Sequence, residues 1–219
     1  TRRSSDLEEA ETLEIYLRDR VMNTKIILSY TIFENLPVII RNTRFVHEGE
    51  SSIVLERAMS LNLDLPDDRY EMVELTGAWA RERYVKTAPL HEGIQAIYSM
   101  RGHSSHQFNP FFALKRPETT EDAGEAIGIS LVYSGNFLGQ TAVDTFGVAR
   151  AMIGIHPEGF SWTLKKGETF QTPEAVLVYS GEGLGKMSRT FHRLYRKRLA
   201  RGYWRDRVRP VVINNWEAT

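Results

Sequence analysis

Glu11-Thr12-Leu13-Glu14-Ile15-Tyr16-Leu17-Arg18-Asp19 alternates strictly: Leu13, Ile15 and Leu17 take the odd positions, and Thr12, Glu14, Tyr16 and Arg18 the even ones. A period of two places the apolar set on one face of a β-strand, so one side of this strand is expected to pack and the other to be wet. The same signature recurs outward from it. Runs rich in β-branched and aromatic residues occupy Ile26 to Phe33, Val38 to Val46, Ile53 to Leu61, Met72 to Leu75, Gln95 to Met100, Phe111 to Leu114, Ala126 to Ser134 and Gly139 to Ile155. Turn-forming punctuation separates them, including Asn35, Pro37, Gly49, Pro66-Asp67-Asp68, Gly135-Asn136 and Pro157-Glu158-Gly159. Strand after strand with this spacing predicts a mainly β fold, a large antiparallel sandwich.

Near Pro173 the pattern changes. Ala175-Val176-Leu177-Val178 is a continuous apolar run and reads as a final, largely buried strand. Met187, Phe191, Leu194, Tyr195 and Leu199 then fall at helical spacing with arginines between them, which predicts one amphipathic helix closed by Gly202 as its C-terminal cap. Beyond Pro210, Val211-Val212-Ile213 runs straight into Asn214-Asn215-Trp216-Glu217. A β-branched run without alternation suits a strand covered on both faces, as in a parallel barrel. Such a strand needs neighbours on both edges. The organisation expected is therefore residues 1–180 as a sandwich whose N-terminal part is missing, 181–209 as a linking helix and connector, and 210–219 as the first strand of a truncated barrel.

Composition narrows the partners. Lys plus Arg and Asp plus Glu number 28 each, so no global field draws the chain to nucleic acid or an anionic membrane. No apolar run reaches the roughly 18 residues of a membrane span, and no charged-then-apolar leader follows Thr1. There is no cysteine, which removes disulfides, thiol catalysis and zinc-thiolate sites and points to a reducing, cytoplasmic setting. A neutral partner such as a sugar fits this balance.

Functional side chains of parallel barrels cluster at the C-terminal strand ends, where Asn214, Asn215 and Trp216 stand. The Trp216 ring is placed to stack on the apolar face of a pyranose, or simply to pack over the barrel mouth. The segments RGHSSHQFNPFFAL (Arg101 to Leu114), GEAIGISLVYSGNF (Gly124 to Phe137) and VVINNWEAT (Val211 to Thr219) resemble glycoside hydrolase family 36 α-galactosidases, and the resemblance runs through essentially the whole chain. It implies an N-terminal β-supersandwich, a central barrel of eight strands and helices, and retaining hydrolysis of terminal α-linked galactose from raffinose-type oligosaccharides and melibiose, without a cofactor or metal. Retention uses two carboxyl groups about 5 to 5.5 Å apart. In the family these are aspartates on later barrel strands, expected here beyond Thr219, so the chain alone is expected to be inactive.

Two substrate-binding residues carry over from the resemblance: Trp216 in NNWEAT, and Trp79 in Thr76-Gly77-Ala78-Trp79, like a tryptophan that a sandwich loop hangs over the active-site mouth. Taken from the residues alone, Trp79 also reads as an ordinary core or rim aromatic. Family members are often tetramers, which implies a homo-oligomer. The rival expectation is a non-catalytic carbohydrate-binding or interaction sandwich using Trp79 and other exposed aromatics.

Other constellations invite discounting. His103 and His106 flank two serines but lack the further ligands of a zinc site, and with Arg101 and Asn109 they read as structural bracing. Gly181, Gly183 and Gly185 mimic a phosphate loop without its Lys and Ser or Thr. The basic helix from Met187 to Arg201 reads as a solvated or acid-paired face. Asp144, Glu174 and Glu217 are not placed in one cleft by sequence.

Overall fold

The computed structural model describes residues 10–215. Its first third is a run of long strands, β1 (Ala10–Asp19), β2 (Thr24–Phe33) and β3 (Leu36–His47), followed by the short β4 (Ile53–Leu55) and β5 (Met59–Asp64). The middle holds β6 (Glu71–Ala78), β7 (Arg81–Pro89), β8 (Gly93–Ser99), β9 (Phe108–Lys115) and β10 (Ala126–Val132). Then come β11 (Phe137–Val143), β12 (Ala149–Ile155), β13 (Trp162–Leu164), β14 (Thr169–Gln171) and β15 (Glu174–Ser180), and finally the helix α1 (Gly183–Leu194) with a π-helical turn at Tyr195–Leu199.

These strands form two principal antiparallel sheets. The larger runs β1-β2-β3-β15-β10-β9-β6-β7, with β14 also on β3, and the smaller runs β5-β12-β11-β8. Between them lies a core that includes Leu61, Met72, Ile97, Phe112, Ile129, Phe137 and Ile153. A second apolar layer covers the opposite face of the large sheet, where Met187, Phe191 and Leu194 of α1 pack on Val38, Val73, Ala113, Val176 and Val178. Strand β15 is therefore buried on both faces, which is why Ala175 to Val178 shows no polar alternation. Gly128 makes room for the helix, since a Cβ there would stand 2.4 Å from the Phe191 ring.

Charged side chains tie loops to this frame. The Arg116 guanidinium lies 3.8 Å from the Tyr70 ring centroid and bonds Asp67 at 2.6 Å and Glu125 at 3.1 Å, while the Tyr70 hydroxyl donates to Glu125 at 3.0 Å. Burial, and then that bond to Glu125, push the Tyr70 phenol up to about 12.

Several sequence expectations need correction. The apolar side of β1 does not pack: Leu13 is 62% exposed, and Ile15 and Leu17 are also open, because the small sheet does not reach under β1. Ile53 to Leu61 and Gly139 to Ile155 are each two strands, and Arg81–Pro89 is a strand that no apolar run announced. Gly202 has φ 80° but lies beyond the helical end, because Ala200 already turns extended at ψ 130°. Apart from these corrections, Val211 to Ile213 pair with no strand among the described residues, and Val211 is 93% exposed; a barrel strand takes its edge partners from the other strands of its barrel.

Candidate functional site

Strand β6 alternates Met72, Glu74 and Thr76 on the face toward the small sheet, and it pairs β9 on one edge and β7 on the other. Beyond Thr76 the hairpin outruns β9. There the register slips: Thr76 faces Tyr84, but Ala78 faces Arg81, so β7 spends one extra residue. Arg83, at φ 60°, sits in that bulge. Bulges bend a hairpin and strengthen its twist. Gly77 anchors the bend. Its amide donates to the Gln107 carbonyl at 3.0 Å, and a Cβ there would meet the Arg81 carbonyl at 2.7 Å.

Past this point the two central residues of the turn are Trp79 and Ala80. Ala80 holds φ 61°, a left-handed conformation costly for a residue with a Cβ, and its amide donates to Glu82 Oε1 at 3.1 Å. Trp79 is thus carried out on a twisted two-residue tip and is 86% exposed. Packing gives no account of a tryptophan there, since its large apolar ring gains almost nothing from the fold. It is not the core aromatic that the residues alone allow. Trp216 lies outside the described residues.

The discounted candidates have structural employment. The His103 carbonyl accepts the Ser99 hydroxyl at 2.6 Å, its Nδ1 lies 3.1 Å from the Arg101 carbonyl, and the Gly102 amide donates to Asn136 at 2.6 Å. The Asp144 carboxylate accepts the amides of Phe146 and Val148 in a turn. Among the described residues no group of three His, Asp or Glu converges as metal ligands. At the start of α1 the amides of Gly183, Leu184 and Gly185 are taken: they donate to the carbonyls of Gly124, Thr120 and Glu121 at 2.9, 3.0 and 2.9 Å. Arg189, Arg193, Arg196 and Lys197 face solvent. No helix among the described residues is long and apolar enough to cross a membrane.

Sequence reasoning passed over β7 and what it shares with β6. Glu74 and Lys86 face each other across these strands, and burial holds the Glu74 carboxyl above the ordinary range, with Lys86 pulling the other way. The available signal was the alternation of Tyr84 and Lys86 with Arg83, Val85 and Thr87, masked because both faces of β7 are wet and its turn lacks Asn or Gly.

The profile of the glycosyl hydrolase family 36 N-terminal domain matches residues 2–165. The chain belongs to glycosyl hydrolase family 36. A melibiase profile follows at residues 169–219, so the profile boundary falls before β14 and β15, although both strands are laid into the large sheet. Relatives align along nearly all of this chain. Alpha-galactosidase AgaA of Geobacillus stearothermophilus is 53% identical over 97% of this chain, and Alpha-galactosidase Mel36A of Lactobacillus acidophilus is 43% identical over 97%. A crystal structure of a substituted AgaA in complex with stachyose superposes with a TM-score of 0.93 at 52% identity over 96% of this chain. The galactosidase domain of the alpha-galactosidase-sucrose kinase AgaSK gives 0.92 at 39% identity. The chain spans 29% of the length of AgaA and of Mel36A.

Proposed function

We propose that this chain is the sandwich portion of a retaining α-galactosidase acting on raffinose-type oligosaccharides and melibiose, and that its own work is to shape the mouth of the sugar pocket. One observation carries the reading: the bulged β6–β7 hairpin spends a left-handed Ala80 to hold an unpacked Trp79 at its tip. An aromatic ring held this way offers a flat apolar face to the C–H side of a pyranose at little cost in side-chain freedom. Relatives whose structures hold raffinose and stachyose support the substrate class.

In this reading residues 1–180 form the sandwich, 181–209 the linking helix and connector, and 210–219 the first barrel strand, whose end brings Trp216 to the pocket wall. The two carboxyl groups of the retaining mechanism lie beyond this chain. One attacks the anomeric carbon; the other protonates the leaving oxygen and then activates water. The sandwich face also serves contacts between subunits of a homotetramer.

The test uses the complete polypeptide that carries this chain, assayed for release of galactose from raffinose and from an aryl α-galactoside. Trp79→Ala is expected to lower kcat/KM for raffinose about fivefold, the equivalent of about 1 kcal/mol of lost stacking, with Trp79→Phe restoring most of it. Unchanged kinetics in Trp79→Ala would remove the proposed role of the hairpin. Absence of any galactoside hydrolysis by the complete polypeptide would sink the enzyme reading itself.

A further inference from the structure

The two sheets end on the same side of the sandwich, the large one at β7 and the small one at β8, and among the described residues each of these strands pairs on one edge. Between them the layers part. One hollow of about 520 Å³ is lined by Met72, Glu74, Lys86, Ala88, Gln95 and Ala96. A second of about 470 Å³ adjoins it at Lys86 and is lined by Thr76, Arg81, Tyr84, Tyr98, Gln107 and Phe108. Each lies within the roughly 300 to 1,000 Å³ usual for ligand sites.

Three features of the lining point to a ligand. Glu74 and Lys86 carry opposite charges on adjacent strands, yet among the described residues the Glu74 carboxylate accepts no side-chain hydrogen bond and the Lys86 ammonium donates none. A half-buried carboxylate has lost part of its water and gained no replacement there. Gln95, by contrast, is already paired: its side-chain amide donates to the Pro89 carbonyl at 3.0 Å and accepts the His91 amide at 3.2 Å. At the other end Tyr98 stacks on Phe108 with centroids 6.0 Å apart and planes at 28°, and the neighbouring Tyr84 ring is open to solvent.

We propose that this trough between β7 and β8 binds a neutral, hydroxyl-rich oligosaccharide, independently of Trp79. A sugar hydroxyl donates to the half-buried Glu74 carboxylate and supplies its missing bond, while a neighbouring one accepts from the exposed Lys86, with no net charge in the ligand. The aromatic end takes an apolar sugar face. An added peptide strand is a poorer fit, since Arg81, Arg83 and Lys86 crowd the β7 edge and Pro89 closes it. An anion meets Glu74, and an apolar molecule would bury both charges unpaired.

The test is a raffinose titration of the 219-residue chain, followed by amide shifts in two-dimensional NMR. Saturable shifts are expected at Glu74, Lys86, Ala88 and Ala96, with a dissociation constant of about 1 mM. Glu74→Ala and Tyr98→Ala are each expected to weaken binding about tenfold, and Tyr16→Ala, on the exposed β1 at the far end of the large sheet, to leave it unchanged. Spectral dispersion of each variant reports whether it is folded, and Glu74→Ala removes a carboxylate that folding disfavours, so it keeps the test sound. Shifts that gather at Trp79 and vanish in Trp79→Ala would overturn the proposal, as would no saturable change up to about 50 mM raffinose, a concentration far above the expected constant. The outcome is separate from hydrolysis: an inactive complete polypeptide leaves the trough standing, and an empty trough leaves the hairpin role standing.

Discussion

At the residue scale, glycines separate what the chain must do from what its motifs imitate. The spacing of Gly181, Gly183 and Gly185 resembles a phosphate cradle, but Gly183 is required for a different reason. It holds φ 78°, and a Cβ there would stand 2.5 Å from the Glu121 carbonyl and 2.6 Å from the Ala123 amide. The loop at Thr120 to Gly124 wraps the start of α1 and takes its first amides, so no Cβ fits between them. Gly183→Ala is expected to cost about 2 kcal/mol or more, the left-handed backbone penalty plus displacement of that loop. Gly167 is the control. At φ 84° with nothing within 4 Å, it carries the backbone term alone, and Gly167→Ala is expected to cost about 1 kcal/mol. Urea midpoints of the two variants measure the difference; equal shifts would mean the loop does not clamp the helix.

At the element scale, strands differ by what covers them rather than by their own pattern. Leu17 in β1 and Phe112 in β9 are both apolar strand residues, yet Phe112 is fully buried and Leu17 is 48% exposed. The period of two is a property of the strand and is written in the sequence. The layer beneath it is set by topology, which is why the face of β1 was misjudged while β15, buried on both sides and continuously apolar, was legible. The hairpin that carries Trp79 was half legible: Gly77 announces a bend, but a Trp-Ala turn and a wet β7 hide the strand that returns from it. Trp79 itself was reached through family likeness, and nothing in the local pattern distinguishes it from a packed aromatic. Coverage also ranks the costs of truncation. Phe191 in α1 is 5% exposed and meets Phe111 edge-on at 5.6 Å, so Phe191→Ala is expected to destabilise by about 3 to 5 kcal/mol. Leu17→Ala should stay within about 0.5 kcal/mol. Comparable losses in the two denaturation curves would contradict the layer assignment.

At the scale of the whole molecule, balanced charge conceals a directional dependence on pH. Hydrogen bonds from Lys25 to Glu48, from Arg150 to Asp64 and from Arg116 to Asp67 hold these three carboxyls below their ordinary range. Each pair joins separate segments: β2 to the end of β3, β12 to β5, and the loop after β9 to the loop after β5. A carboxyl whose folded pKa is depressed adds stability that is present above its unfolded pKa and is lost as pH falls through the folded one. Glu74 has the opposite sign. Burial raises its pKa, so its contribution is greatest in acid and is lost as pH rises from the ordinary carboxylate value through the folded one. With three depressed carboxyls against one raised among the described residues, stability is expected to fall as pH drops from about 5 toward about 2, and each exposed pair contributes modestly. Urea midpoints across that range should decline in the native chain. Asp67→Asn should flatten the decline and lower the neutral-pH midpoint, whereas Glu74→Gln should raise the midpoint at neutral pH and converge on the native value in acid. If Asp67→Asn left the slope intact, the bond from Arg116 to Asp67 would not be coupled to folding, and the frame around Tyr70 would rest on its bonds to Glu125, on stacking and on packing.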